Sequence, residues 1–92
     1  AVEMEGKTAF TLAPDANFSD ARITATGFQR ANLQGARFFN AQLSGCDFSQ
    51  ADLRRTGFHH AILSECCFSS SDLSESGFLG ARARLCRFAD AR

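Results

Sequence analysis

The chain has 92 residues, which fits one domain, and its ten Lys and Arg balance ten Asp and Glu to a formal net charge of zero. This balance argues against a nucleic-acid partner, because such binders carry a basic excess that neutralises phosphates, and against an acidic imitation of DNA. No apolar run approaches the roughly 18 residues of a membrane span, so we expect a soluble protein.

Residues 1–15 are predicted to form a lead-in segment. They follow the repeat described below poorly, although Phe10, Thr11 and Leu12 alternate as in a strand. We expect this segment, with Phe10, to cover the first coil and its open backbone edge.

From residue 16 the sequence repeats every five residues. A large apolar residue stands at every fifth position except Ala83, and a small residue stands two places before each of them. Both sets are predicted to point inward. The predicted structural core consists of Phe18, Ile23, Phe28, Leu33, Phe38, Leu43, Phe48, Leu53, Phe58, Leu63, Phe68, Leu73, Phe78 and Phe88.

A period of five fits neither regular secondary structure. On an α-helix five residues turn about 500°, which scatters the large residues around the cylinder. On a flat strand an odd period places successive large residues on opposite faces. A chain that turns a corner after every unit satisfies the pattern, and four corners per coil explain why Phe18, Phe38, Phe58 and Phe78 recur every twenty residues.

The units Ala31–Gly35, Cys46–Gln50 and Ala51–Arg55 resemble the A(D/N)LXX repeat of the pentapeptide-repeat family. The resemblance extends from Ala16 to about Ala91. It implies an all-β solenoid over residues 16–92, a right-handed quadrilateral β-helix of about four coils with four pentapeptides per coil. We interpret the chain either as a fragment of a longer protein or as one whose last coil meets a partner.

Three cysteines, Cys46, Cys66 and Cys86, are spaced by twenty and are predicted to form an inward ladder of buried free thiols. The ~4.8 Å between stacked strands exceeds the ~3.8 Å that Cβ atoms of a disulfide prefer. Free thiols indicate a reducing, cytoplasmic compartment, and secretion as part of a larger effector is the alternative. Cys67 is predicted to point outward, as the one reactive thiol.

No metal, cofactor or catalytic site is expected. His59 and His60 are predicted to lie outside one Phe wall, whereas Cys67 lies outside the opposite wall, and no CxxC or HxxxH spacing occurs. No nucleophile motif or phosphate loop appears, so we do not expect an enzyme.

The outward positions after one Phe column are predicted to bind a protein partner. Phe39, His59 and Leu79 stack there, one per coil, with Asn40 and His60 beside them. Solvent does not favour a Phe at such a place, so a docking stripe is predicted, with scattered surface apolar residues as the alternative.

Charge is polarised along the chain. Residues 1–20 hold four acidic residues and one Lys, a net of −3, and residues 76–92 hold four Arg and one Asp, a net of +3. Because sequence order becomes height in a solenoid, one end is acidic and the other basic. This predicts end-to-end self-association or continuation of the stack in a larger chain.

The leading functional hypothesis is a non-catalytic protein–protein interaction or scaffold module, a rigid rod whose walls or ends contact another protein. The family resemblance supports this class, and one form of the hypothesis is a domain of a larger bacterial protein, such as an effector or a secretion-apparatus component. The units around Phe48 and Leu53 are also similar to those of the DNA-mimicking Qnr and MfpA proteins of this family, so the first alternative is a topoisomerase (gyrase) inhibitor or protector. A purely structural spacer is the second.

Overall fold

The computed structural model describes residues 3–5 and 15–92, and these form β-structure and turns without a helix. Five short parallel strands stack in chain order in one sheet. They are β1 (Glu3–Glu5), β2 (Arg22–Thr24), β3 (Gln42–Ser44), β4 (Ile62–Ser64) and β5 (Arg82–Arg84).

The coils repeat every twenty residues, as the sequence predicts. From β2 to β5 the strands pair in steps of twenty, as in Ile23 with Leu43 and Leu43 with Leu63. The other walls are joined by isolated parallel bridges with the same step, such as Asn17 with Arg37. The predicted right-handed quadrilateral β-helix is therefore confirmed.

Hydrogen bonds between coils replace the bonds that a helix or a wide sheet would make within itself. The amide of Arg37 donates to the Ala16 carbonyl at 2.9 Å, and the amide of Phe38 donates to the Gly57 carbonyl at 2.7 Å. The same two bonds, one to the preceding coil and one to the following coil, recur along the stack. Each coil is consequently held by the coils above and below it.

A positive φ at every fifth residue makes the corners. From Asp15 to Asp90 each of these positions has φ between 50° and 73°, although only Gly35, Gly45 and Gly80 are glycines. On three walls an amide also donates back across the corner, as Ala21 does to the Phe18 carbonyl at 3.1 Å. A positive φ at the third residue of such a turn is the type II pattern.

The Asp or Asn at the second position of many units caps the corner that follows. The Asp47 carboxylate accepts the Ser49 amide at 2.8 Å, and the Asn17 side-chain oxygen accepts the Ser19 amide at 3.0 Å. These Asx-type bonds satisfy an amide at the start of the turn. They explain chemically why the repeat prefers Asp and Asn at this position.

The core consists of two Phe stacks that meet edge to face. Within a stack, rings of successive coils lie nearly parallel, as in Phe28 and Phe48 with centroids 4.8 Å apart. Between stacks they meet at about a right angle, as in Phe38 and Phe48 at 5.8 Å. Both arrangements suit the aromatic quadrupole, and they alternate through the interior.

The predicted core is fully buried only as far as Phe68. Leu73 and Phe78 are half-buried, and Phe88 is 43% exposed, so its assignment to the buried core is wrong. Phe88 occupies the inward register, but it lies on the last coil and no further coil packs beneath it. Cys86 is half-buried for the same reason.

At the first coil, β1 pairs in parallel with β2, and Met4 is in register with Ile23. The predicted alternation of Phe10 to Leu12, and the role of Phe10 in a cap, lie outside the described residues. The molecule measures 29 × 28 × 23 Å.

Candidate interaction surface

The five predicted partner-binding residues lie along one wall. We call the column Phe39, His59 and Leu79 the outer stripe; it follows the inward Phe38, Phe58 and Phe78 by one residue. The rings of Phe39 and His59 meet edge to face with centroids 5.1 Å apart. Both side chains are half-buried, whereas Leu79 is 73% exposed.

Glycines explain why the two rings are half-buried. Gly57 and Gly77 precede the inward Phe of the next coil, and the rings fold over them. A Cβ at Gly77 would lie 2.6 Å from His59 Cε1, and a Cβ at Gly57 would overlap the Phe39 ring. Leu79 occupies the equivalent place on the last coil, with no coil beneath it to cover, so it stays exposed.

Asn40 and His60 stand at the corner beside the outer stripe. Both are exposed and have φ of 59° and 61°. The His60 ring lies over Gly80, where a Cβ would meet His60 Cε1 at 2.6 Å. Together with the outer stripe, these side chains offer a surface of aromatic, amide and imidazole groups.

One polar atom of the outer stripe is buried without a partner. His59 Nδ1 is covered by protein and makes no hydrogen bond to the residues that the structure describes. The ring is therefore held in place by packing against Phe39 and Gly77, and not by a hydrogen bond at Nδ1. A buried, unpaired ring nitrogen carries a desolvation cost.

The Gly–aromatic pairing was missed by sequence reasoning. The repeat pattern accounts for Gly27, Gly57 and Gly77 only as unit starts that ease the local geometry. A signal is present in the sequence, since Phe39 precedes Gly57 by the same interval at which His59 precedes Gly77. On the opposite wall this interval joins polar groups instead, as in the hydrogen bond from the Gln29 amide to the Asp47 carboxylate at 3.0 Å.

Two of the three cysteines in the predicted ladder, Cys46 and Cys66, are buried, and all four cysteines are free thiols. Cys46 Sγ donates to the Ile23 carbonyl at 3.4 Å, and Cys66 Sγ donates to the Leu43 carbonyl at 3.6 Å. The adjacent Cys46 thiol and burial raise the pKa of Cys66, and burial raises the pKa of Cys86.

Cys67 has a different environment on the outside of the Phe68 wall. Its Sγ lies 3.3 Å from both Ser49 Oγ and Ser69 Oγ. The hydroxyl of Ser49, followed by that of Ser69, lowers the pKa of this half-buried thiol. Hydrogen bonds to a thiolate favour its charged form.

Over residues 3–5 and 15–92, no group of three or more His, Cys, Asp or Glu is arranged to hold a metal ion. The ion pair between Arg54 and Asp52, 2.8 Å across, is exposed on a third wall, and Arg54 lowers the pKa of Asp52.

In the part of the chain described, nothing forms a helix long and apolar enough to cross a membrane.

Fold and surface together define a repeat solenoid built from five-residue units. The family model of pentapeptide repeats matches three overlapping spans, residues 10–38, 16–55 and 36–74, with eight copies. The chain belongs to the pentapeptide-repeat family. The sequence matches none of the curated proteins with which it was compared.

Similar solved structures support the same assignment. A pentapeptide repeat protein of the Arabidopsis thaliana thylakoid lumen is 25% identical, with a TM-score of 0.70 over 94% of this chain and 61% of its own. Rfr23 from the cyanobacterium Cyanothece 51142 is 13% identical, with a TM-score of 0.66 over 98% of this chain and 83% of its own.

QnrB1, a plasmid-mediated fluoroquinolone resistance protein, is 17% identical, with a TM-score of 0.69 over 99% of this chain and 58% of its own. At these low identities, the likeness to Rfr23 and QnrB1 concerns the fold alone. The chain spans about three fifths of the Arabidopsis and QnrB1 structures.

Proposed function

We propose that this chain is a non-catalytic protein-interaction module and that the outer stripe, with Asn40 and His60, is its contact surface. The observation that carries the proposal is the pair of Phe39 and His59, whose rings meet edge to face with centroids 5.1 Å apart on the outside of one wall. Aromatic and aliphatic side chains beside polar groups are typical of the centre of a protein interface.

The repeat architecture supports this role. Backbone bonds between coils fix the spacing of the outer stripe, so a partner meets side chains that lose little freedom on binding. The inward ladder supplies the stability, which leaves the outward positions free to vary. On this proposal the chain acts in the cytoplasm, where its four thiols stay reduced. The similar Arabidopsis thaliana protein is located in a different compartment, the thylakoid lumen.

The alternative of topoisomerase inhibition by DNA mimicry has weaker support. An imitation of DNA needs a surface with excess negative charge, whereas this chain has a formal net charge of zero. The likeness to QnrB1 does not extend beyond the fold.

The test compares two variants in a capture experiment. In Phe39→Ala/Leu79→Ala the apolar contact is removed from the outer stripe. The matched control is Ile62→Ala, which removes a 47% exposed aliphatic side chain from a different wall. Immobilised wild type, variant and control are each exposed to an extract of the cells that express the protein, and bound proteins are quantified by mass spectrometry.

We expect a partner that Ile62→Ala retains and Phe39→Ala/Leu79→Ala loses. Circular dichroism and urea unfolding confirm that both variants are folded. Equal capture by the two variants, or capture by neither of a protein that the wild type binds, contradicts the assignment of this wall.

A further inference from the structure

The His59 ring packs against backbone that carries no side chain. A Cβ at Gly77 would lie 2.6 Å from His59 Cε1 and 2.8 Å from Nε2, so the ring takes the space that a side chain would fill. From the preceding coil the Phe39 ring meets it edge to face, with centroids 5.1 Å apart. We call this place of the ring, between Phe39 and Gly77, the packed position.

The packed position encloses one ring nitrogen and gives it no partner. His59 Nδ1 lies 3.3 Å from the place that a Cβ of Gly57 would take, and it forms no hydrogen bond with the part of the chain that the structure describes. The amides of Gly57 and Gly77 already donate to the carbonyls of Ala36 and Thr56, at 2.9 and 3.0 Å. Both amides are therefore used in bonds between coils, and neither donates to the ring.

The number of protons on the ring decides whether the packed position is favourable. A neutral imidazole carries one N–H, and its other nitrogen is a bare acceptor. With the proton on Nε2, the packed position leaves only an unused acceptor at Nδ1. An imidazolium carries an N–H on both nitrogens, so the enclosed Nδ1 would hold a proton with no acceptor and a charge partly withdrawn from water. The packed position therefore suits the neutral ring.

Charged groups around the ring do not offset this cost. The charged and titratable side chains on the wall segments that contact the ring, or at the corners that bound these segments, are Arg37, Arg55, Glu75 and His60. Over residues 3–5 and 15–92 the ion pair found is that of Arg54 with Asp52 on another wall, so Glu75 does not pair with His59. Arg37 is in register with Gly57, and its positive charge opposes an imidazolium on the same wall.

We propose that His59 is a pH-sensitive switch in the outer stripe. The neutral ring stays in the packed position, and uptake of a second proton turns the side chain out into solvent, away from Gly77. The protonated form of this wall then exposes the Gly77 backbone, and Phe39 loses its contact with the imidazole ring. This inference concerns the same wall as the proposed function but needs no partner, so each can fail without the other.

The direction of the pH dependence follows from the number of protons that each state binds. An imidazole in water takes up its second proton at about pH 6.5. Below that pH the exposed ring and the unfolded chain bind one proton more than the packed state, so acid favours them. The ratio of exposed to packed rings should rise by up to about tenfold for each pH unit, and the stability that the packed position contributes is fully present only above about pH 6.5.

The first measurement is NMR of the 92-residue chain between about pH 8 and about pH 4. We expect a nuclear Overhauser contact between His59 Hε1 and the Gly77 Hα protons at the upper end, and its loss as the ring takes up its second proton. The contact of the Phe39 ring with the Gly57 Hα protons should remain throughout, which shows that the wall is folded. A contact between His59 and Gly77 that persists to about pH 4 overturns the proposal. Loss of both contacts together also overturns it, because that result reports unfolding and not a local switch.

The second measurement compares the pH dependence of urea unfolding in three variants. His59→Phe keeps a ring that does not titrate, and Gly77→Ala fills the packed position with a methyl group while it keeps His59. His60→Gln is the matched control, since it removes an exposed imidazole at the neighbouring corner. From about pH 7.5 to about pH 5.5 the folded-to-unfolded ratio should fall about tenfold more in wild type and His60→Gln than in the other two variants. Equal pH dependence of wild type and either of those two, or its loss in His60→Gln, overturns the proposal.

Discussion

At the scale of the residue, the corners bend the chain without requiring glycine. Ala25, Glu65 and Leu85 all adopt φ near 55°, a region that costs an L-residue roughly 1–2 kcal/mol. The stack supplies this energy through bonds on both sides of the corner, such as the Ala25 amide to the Ser44 carbonyl at 2.8 Å. The period of five predicts a corner, but it does not predict which side chains tolerate one, because the coils above and below decide that.

The corner that Ala25 and Gly45 share on successive coils gives a matched pair of substitutions. Ala25→Gly removes the left-handed strain at a smaller entropic cost, so we expect stabilisation by a few tenths to about 1 kcal/mol. Gly45→Ala introduces this strain, although its Cβ would meet neighbouring atoms at ordinary contact distances. We therefore expect it to lower the free energy of unfolding by about 1 kcal/mol. Urea unfolding measures both, and changes of the same sign contradict this account of the corners.

The packing of the Phe39 ring over Gly57 is tested by a double-mutant cycle. Gly57→Ala places a methyl group against the Phe39 ring and should cost about 1–3 kcal/mol. In the background of Phe39→Ala most of that cost should vanish. Gly27→Ala is the matched control on the opposite wall, where the flexible Gln29 side chain can move aside. If the two Gly→Ala substitutions lower the free energy of unfolding in urea equally, the proposed packing of Phe39 over Gly57 is contradicted.

The four thiols should differ in reactivity. Cys67 has a lowered pKa and is partly accessible, so we expect iodoacetamide to modify it first, at a lower pH than an ordinary thiol. Cys46 and Cys66 are buried and should react only when the protein unfolds. Peptide mass spectrometry over a pH series measures each site, with urea-unfolded protein as the control. Faster modification of Cys66 than of Cys67 contradicts the ladder.

At the scale of the element, the sequence predicts the columns of the core but not their local conformation. All four walls carry the same inward register, yet within residues 3–5 and 15–92 only the wall of Ile23, Leu43 and Leu63 forms strands. Most units on the other walls have Asp, Asn or Gly at the second position, and these residues favour turns. The strand wall has none of them there; its second positions are Arg22, Gln42, Ile62 and Arg82. The strand conformation thus accompanies the absence of turn-forming residues, which the inward pattern does not show.

The column that contains Phe68 and Phe88 distinguishes the effect of burial on stability from the effect of the inward register. Phe68 is buried and stacks on Phe88 with centroids 5.1 Å apart, whereas Phe88 is 43% exposed. Phe68→Ala should cost about 3–5 kcal/mol, and Phe88→Ala roughly 1–2 kcal/mol, because solvent already reaches much of that ring. Urea unfolding compares them, and equal costs would show that register rather than burial sets the contribution.

At the scale of the whole molecule, the solenoid and its columns were predictable, but its ends and outer surface were not. A repeat assigns Phe88 and Leu33 the same role, and only the number of coils distinguishes the last from the interior. The composition of the outer stripe is visible in the sequence, whereas the burial of Phe39 depends on Gly57, which belongs to the next coil. Contacts between coils, rather than neighbours along the chain, decide both.

The central claim is a single stack held by bonds between coils, and amide hydrogen exchange tests it most directly. At concentrations where the protein is monomeric, amides that donate between interior coils, such as Phe38, Phe48 and Asp52, should exchange only through global unfolding. Those of Leu85 and Phe88 on the last coil should exchange quickly. Rapid exchange at the interior amides, or equal protection along the whole chain, would contradict the account.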